Sequence, residues 1–280
     1  MGVKIIVDST ADLIPQVRSR VEVVPLTIRF GQEEYIDGVT IDSKTFYEKL
    51  IESDVMPTTC QIPPAEFESA YEKVMADGDT AVVVTLSGKL SGTYQSAVIA
   101  AENYSGKVFV VDSESVAIGE RILVLRGLEL KEEGLSAKEI AEKLDEEKKY
   151  IRLLGLLDTL EYLKKGGRIS SAAAFAGNLL SIKPVITAEN GELKLLGKAR
   201  GSRQGNNLLR EMVAKTGGIR FDKPFYLAYS GLSKMILLKY INDSAELWEG
   251  RVMDLPVTTV GCAIGAHVGP GAIAIAYFEK

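Results

Sequence analysis

Two stretches of this sequence combine hydroxyl groups with glycine in a way suited to binding an anion. Thr58 and Thr59 lie in a proline-rich segment, and Ser91 and Gly92 lie in the polar segment 85–96. Hydroxyl groups donate hydrogen bonds without carrying charge, and free N–H groups at a helix start attract a carboxylate. The segment 85–96 lacks the residue order of a nucleotide-binding P-loop. Both stretches could equally do no more than cap the helices that follow them.

Two basic side chains are associated with glycine-rich segments. Arg168 comes after Gly166 and Gly167, and His267 lies in the segment 261–271, just before the last predicted strand. A glycine-rich turn is a poor position for a core side chain, so we expect His267 to face a ligand. Arg168 could reach the mouth of a cleft, or it could be an ordinary surface charge.

The same residue types leave an enzymatic alternative open. Asp8 and Asp112 each follow an apolar strand, and strand-end aspartates can hold Mg²⁺ for a metal-assisted phosphoesterase. Each is followed by serine, a pair that also caps helices and orders loops. An acyl hydrolase would have to pair Ser91 with His267, because no G-x-S-x-G elbow is present.

Composition excludes several classes of function. The 280 residues include 33 Lys and Arg against 38 Asp and Glu, a net charge of −5 that argues against a nucleic-acid partner. Cys60 and Cys262 make no disulfide framework or cysteine-rich zinc site, and one histidine cannot form a histidine metal cluster. These counts lead us to expect no metal or cofactor. No secretory signal or membrane-spanning stretch is evident, so we expect a cytoplasmic protein.

Apolar segments alternate with helical patterns through the first half, which predicts an α/β fold with a parallel sheet flanked by helices. The predicted strands there are 4–7, 21–30, 81–85 and 107–111, and the helices are 43–53, with Ser43 as cap, 65–76, 93–104 and 136–149.

Asn190-Gly191 predicts a hairpin in the second half, and hence an α+β domain with a mixed or antiparallel sheet. The other elements predicted there are strands 151–157, 225–229 and 273–278 and helices 159–165 and 208–215. Alanines 172–174 would form a narrow helix face. We place a domain boundary near Leu157, which gives domains 1–157 and 158–280 with a ligand cleft between them.

Taken in order, six segments resemble the DegV family of bacterial fatty-acid-binding proteins, which includes the FakB-type lipid-carrying subunits of fatty acid kinase. They are VDST at 7–10, PTTCQ at 57–61, LSGTYQSA at 90–97, KGGRIS at 165–170, KPVI at 183–186 and HVGPG at 267–271. Each segment is short, but together they span nearly the whole chain, and their order makes the resemblance specific.

The resemblance implies two α/β domains with one long-chain fatty acid, such as palmitate, buried between them. It implies that Thr59, Ser91, the Gly92 amide and His267 hold the carboxylate. It places Arg168 on the phosphate path, where a separate ATP-dependent kinase subunit would form an acyl phosphate for an acyltransferase.

The sequence departs from the family pattern beside Thr59. Cys60 replaces the usual serine, and Ile62-Pro63 replaces Pro-Ser. A thiol donates a weaker hydrogen bond than a hydroxyl. We therefore expect weaker hydrogen bonding around Thr59.

Overall fold

The computed structural model of the chain describes residues 2–169 and 182–280. The strands of the first half are β1 (Val3–Asp8), β2 (Glu22–Val24), β3 (Thr27–Phe30), β4 (Glu33–Ile36), β5 (Thr58–Cys60), β6 (Thr80–Thr85) and β7 (Val108–Asp112). Its α-helices are α1 (Pro15–Arg18), α2 (Ser43–Glu52), α3 (Pro64–Ala76), α4 (Thr93–Ala101), α5 (Ile118–Glu132) and α6 (Ala137–Glu147).

The described part of the second half continues with β8 to β13 and α7 to α10. The strands are β8 (Ile151–Leu156), β9 (Ile182–Glu189), β10 (Glu192–Arg200), β11 (Tyr226–Tyr229), β12 (Val257–Thr259) and β13 (Ile273–Phe278). The helices are α7 (Glu161–Lys165), α8 (Gly201–Lys215), α9 (Met235–Asp243) and α10 (Cys262–Val268). The helix face predicted at alanines 172–174 lies outside the described residues.

A four-stranded parallel sheet in the order β2-β1-β6-β7 organises the first half, as predicted. Successive side chains of a strand point to opposite faces, so a strand buried on both faces is continuously apolar. Ile5 and Val82 belong to the core that includes α5 and α6, whereas Ile6 and Val83 belong to the core with α3 and α4. Helices therefore cover both faces of this sheet.

The strand predicted over 21–30 is two strands. Pro25 separates β2, which joins the parallel sheet, from β3, which pairs antiparallel with β4 and β5. Proline has no N–H to donate to a sheet, so the chain can change sheets at this point. In the small sheet Ile28 lies opposite Thr59. This pairing fixes the position of β5, which we call the threonine segment.

Two local predictions are wrong, and helices α1, α5, α9 and α10 were not predicted. Asp42 caps α2 in place of Ser43, because its carboxylate accepts the Thr45 N–H at 2.8 Å. His267 lies in the last turn of α10, a helix capped by Gly269, and not in a glycine-rich turn. Helix α5 is buried almost all round, including Glu120. It therefore lacks the one-sided apolar pattern from which helices are predicted.

A six-stranded sheet in the order β10-β9-β8-β13-β11-β12 organises the second half. It is mixed, because β11 pairs parallel with β12 whereas the other neighbours are antiparallel. The hairpin predicted at Asn190-Gly191 is confirmed. Strand β8, which the boundary at Leu157 assigns to the first domain, pairs with β9 and β13 and so belongs to this second sheet. Within the described residues no helix is long and apolar enough to cross a membrane.

The two sheets share one hydrophobic core. Val84 of β6, Ile122 of α5 and Ala276 of β13 are fully buried members of the same cluster. Helix α10 enters this interface from the second half and contacts α2, α7, β3 and β5. That packing carries the single histidine of the chain to the threonine segment of the small sheet.

Candidate functional site

Thr59 and His267 meet at the junction of the two halves. The Thr59 Oγ1 atom lies 2.8 Å from His267 Nε2, although the residues are 208 positions apart. Gly166, at the end of α7, packs so closely against the imidazole that a Cβ at this position would overlap Nδ1. Strand β5 and helices α7 and α10 together fix the orientation of the ring.

The imidazole of His267 is neutral near pH 7. Burial, and then the positive charge of Arg168, lower its pKa from 6.5 to about 4. Its Nδ1 atom is buried and has no hydrogen-bond partner among the described residues. The ring can therefore form a hydrogen bond with either Thr59 or a ligand. A nearby anion would stabilise the charged form of the ring.

Ser91 and Gly92 lie between β6 and α4, as the sequence predicted for a helix start. Ser91 Oγ lies 3.0 Å from Thr93 Oγ1, and the Thr93 hydroxyl also accepts the Ile62 N–H at 3.3 Å. The Gln61 amide packs so closely against Gly92 that a Cβ at Gly92 would displace it. Hydrogen bonds and close packing thus connect the segment after Thr59 to the loop that carries Ser91.

Arg168 spans two neighbouring cavities. Its guanidinium donates from Nε to the Leu90 carbonyl at 3.1 Å and from Nη1 to the Gly166 carbonyl at 2.6 Å. It lines both an enclosed, mainly apolar pocket and an open polar groove. The arginine is therefore a fixed part of the boundary between them and not a free surface charge.

The mainly apolar pocket has a cavity volume of about 60 Å³ and opens to solvent on one side. This cavity is smaller than the ~300–1,000 Å³ of most small-molecule sites. Its apolar lining consists of Leu26, Leu86, Leu90, Val116, Leu163, Leu193, Ala263, Ile264 and Val268. Its polar lining consists of Thr10, Thr59, Gln61, Ser91, Arg168 and His267. No carboxylate is among these described lining residues, so the pocket wall suits an anion with an apolar tail.

Gln61 and Thr10 are pocket residues that sequence reasoning did not select. Both stand in segments that resemble the family, next to the threonine pair and after strand β1. Cys60 is half-buried and does not line the pocket, unlike Thr59 and Gln61 on either side. Alternate residues of a strand face opposite ways, so the thiol acts on Thr59 only through the strand.

Asp8 and Asp112 do not form one site. Strand β6 separates β1 from β7, which places the two strands ~10 Å apart. Asp112 accepts the N–H groups of Gly88 and Glu114 at 3.1 and 2.8 Å, so it orders loops. Over residues 2–169 and 182–280, no group of three His, Cys, Asp or Glu side chains could hold a metal ion. The arrangement does not favour a metal-assisted phosphoesterase.

A nucleophile–base pair between Ser91 and His267 is not formed either. The Ser91 hydroxyl bonds to Thr93, whereas the Nε2 atom of His267 bonds to Thr59. A hydrolytic triad also needs an acid to orient the histidine through its second nitrogen. That nitrogen has no partner in the described structure. The geometry therefore does not favour an acyl hydrolase.

A buried proton lies behind the pocket wall. Thr10 Oγ1 is 2.6 Å from Asp8 Oδ1 and 2.8 Å from Glu120 Oε2, but a hydroxyl has a single hydrogen to donate. One carboxyl group must therefore be protonated. Asp8 also accepts the N–H groups of Thr10 and Leu86, which favours its charged form. Glu120 is completely buried, which raises its pKa well above 4.5, so Glu120 is the neutral acid.

These features define a class of protein: a two-sheet α/β protein that encloses an apolar pocket with a hydroxyl- and imidazole-lined end. The family model of the DegV family matches residues 2–280. The chain belongs to the DegV family. The DegV domain-containing protein of Caldanaerobacter subterraneus subsp. tengcongensis is 34% identical over 281 residues, with 99% of each chain covered.

Solved structures of the family share the whole fold. A fatty-acid-binding DegV family protein from Thermus thermophilus matches with a TM-score of 0.87 and 32% identity, with 100% of both chains covered. A DegV lipid-binding protein from Thermotoga maritima gives 0.86 and 29%, again with 100% of both covered. DegV of Bacillus subtilis, a fatty-acid-binding protein, gives 0.82 and 29% with the same coverage.

Glu120→Gln should change how stability depends on pH, since glutamine can donate to Thr10 but cannot ionise. Above pH 4.5, the ordinary Glu pKa, the unfolded wild type releases this proton whereas the folded protein retains it. The free energy of unfolding of the wild type should therefore fall relative to the variant as pH rises, by at most ~1.4 kcal/mol per pH unit.

Urea unfolding at about pH 5 and about pH 8 measures this difference. Glu146→Gln, an exposed position on α6, is the matched control and should leave the pH dependence unchanged. Parallel pH profiles for wild type and Glu120→Gln would show that Glu120 is not the buried acid.

Proposed function

We propose that this chain binds one long-chain fatty acid between its two halves and presents the carboxylate to a separate ATP-dependent kinase subunit. The observation that carries the proposal is the pocket itself, whose wall is mainly apolar and whose polar groups include Thr59, Ser91 and His267. Family membership and the fatty-acid-binding relatives support the ligand class.

The carboxylate would occupy the end of the pocket near Thr59 and Ser91. A buried carboxylate without partners is strongly disfavoured, so it needs several donors that converge on it. The two hydroxyls and the Gly92 amide supply donors without introducing a buried charge. Arg168 adds a positive charge at the boundary, and His267 can add a further hydrogen bond.

The acyl chain would lie along the apolar part of the pocket, which must widen to admit it. Burial of about ten methylenes at ~0.8 kcal/mol each contributes roughly 8 kcal/mol before the cost of ordering the ligand. That gain is large enough for a stable complex with a single apolar tail. No metal or cofactor is needed for such binding, since protein donors and apolar contacts suffice.

The polar groove is the proposed contact with the kinase subunit. It adjoins the pocket and is lined by 88–92, 167–168 and 192–193, so the cations Lys89 and Arg168 share it with the carboxylate of Glu192. A phosphorylated carboxylate carries more negative charge than a free one, so a cation at this boundary favours the product. The acyl phosphate would then pass to an acyltransferase. The chain itself would act as a carrier and not as a complete enzyme.

Thr59→Ala combined with Ser91→Ala should weaken fatty-acid binding without unfolding the protein. Each lost hydrogen bond to a charged head group costs ~1.5–3 kcal/mol, about ten- to a hundredfold in affinity. Titration with a fluorescent fatty acid measures affinity, and native mass spectrometry of the purified wild type should show one fatty acid per chain.

Thr58→Ala is the matched control, because Thr58 is exposed and lies beside Thr59 on the same strand. Its affinity should equal that of the wild type. Unchanged affinity in the Thr59 and Ser91 double variant would remove both hydroxyls from the site, and a wild type that carries no lipid would contradict the proposed function.

Arg168→Ala should retain lipid but support less acyl phosphate formation with a competent kinase subunit, because it removes the cation at the pocket boundary. Acyl phosphate formation is measured as hydroxamate after trapping with hydroxylamine, and lipid content by mass spectrometry. Lys164→Ala, an exposed position one turn earlier, is the control and should behave as wild type. A lipid-free Arg168→Ala protein would identify the arginine as a head-group ligand instead.

A further inference from the structure

The tip of the β9–β10 hairpin touches the loop that carries Ser91. Ser87 Oγ donates a hydrogen bond of 2.6 Å to the Gly191 carbonyl, and both residues are buried. Gly191 has a φ of +79°, and a Cβ built on it would lie 2.6 Å from the Ser87 hydroxyl oxygen. Both the turn and the close contact favour glycine there. Within the described structure, the second half thus reaches over the first at this point.

Ser87 also organises the loop that follows it. Its hydroxyl accepts the Lys89 N–H at 3.2 Å, and its carbonyl accepts the N–H groups of Leu90 and Ser91 at 3.0 and 3.2 Å. A displacement of the hairpin tip would therefore act directly on the loop that positions Ser91.

The hairpin tip and this loop form opposite sides of the groove that leads to the pocket. Glu192 and Leu193 line the groove on the hairpin side, and 88–92 line it on the loop side. Leu193 lines the pocket as well. The Arg168 bond to the Leu90 carbonyl attaches the loop to the second half at a separate point. The width of the groove thus depends on how these two attachments hold the loop.

We propose that the hairpin tip is a gate for the ligand, fastened by the Ser87–Gly191 hydrogen bond and opened by separation of the tip from residues 87–91. The gate rests on the proposed function, because it presupposes an apolar ligand in the pocket. A single hydrogen bond between neutral groups holds the tip only weakly. Opening can therefore be frequent, while the shared core holds the two halves together.

A reversible disulfide tests the gate. With Gly191 Cβ 2.6 Å from the Ser87 hydroxyl oxygen, cysteines at both positions would have their Cβ atoms within the ~3.5–4.5 Å of a disulfide. The double variant Ser87→Cys with Gly191→Cys is made in a Cys60→Ser background, so that the half-buried native thiol cannot interfere. Parent and variant are loaded with cis-parinaric acid, and its displacement by excess palmitate is followed by stopped-flow fluorescence.

The oxidised variant should exchange the probe at least about tenfold more slowly than the parent, and reduction should restore the rate. Equal rates in oxidised and reduced protein would overturn the gate. A parent protein that binds no cis-parinaric acid would instead contradict the proposed function itself, and the gate with it.

Ser87→Ala provides a second measurement that needs no cross-link. Removal of the Ser87–Gly191 hydrogen bond should raise both the association rate and the dissociation rate of the probe several-fold. Gly201→Ala is the control for the backbone strain introduced at Gly191. Gly201 has a φ of +76°, close to the +79° of Gly191, but no atom lies within 4 Å of the added Cβ. It should strain the backbone without changing exchange. A slower association rate in Ser87→Ala would contradict the gate.

Discussion

The hydrogen bond between Thr59 and His267 is the contact on which the rest of the site depends. It joins the small sheet of the first half to α10 of the second, across 208 residues of chain. Burial keeps the imidazole neutral, so the bond forms without an uncompensated charge in an apolar interface. Because both partners line the pocket, this contact between the two halves also shapes the end of the cavity.

The interface tolerates buried acids only because protons and hydrogen bonds compensate them. The bridge from Asp8 through Thr10 to Glu120 holds one proton that solvent would remove near neutral pH. Asp12, also buried, has its pKa raised to about 8, with Arg121 as the opposing influence. Burial thus favours the neutral form of both Glu120 and Asp12 behind the pocket.

Local patterns predicted much of the fold, and the failures have physical causes. Continuous apolar strands gave the parallel sheet, and Asn190-Gly191 gave the hairpin, since both signals are local. Helix α5 was not predicted, because it is buried on almost all sides and so has no one-sided apolar pattern. It also contains Glu120, whose neutral state depends on partners distant in sequence. The pairing of β8 with β13 depends on residues more than a hundred positions later, which no local pattern encodes.

The candidate site was predictable in its residues but not in its contacts. The structure brings Thr59, Ser91, Arg168 and His267 to one pocket, whereas Gly92 lines the neighbouring groove. Their role in ligand binding stays a prediction. Sequence reasoning could not show that His267 bonds to Thr59 and not to Ser91, nor that Thr10 lines the same cavity. Those facts follow from the packing of α10 against the small sheet, which only the complete fold establishes.

The most direct test of a carboxylate site beside His267 is the pKa of that histidine. The sequence has one histidine, so its ring protons give an unambiguous NMR signal. In lipid-stripped protein the ring should remain neutral until the pH approaches its pKa of about 4. With palmitate bound, the pKa should rise, because an adjacent anion stabilises the charged imidazole. The same pKa with and without bound palmitate would contradict the placement of the carboxylate.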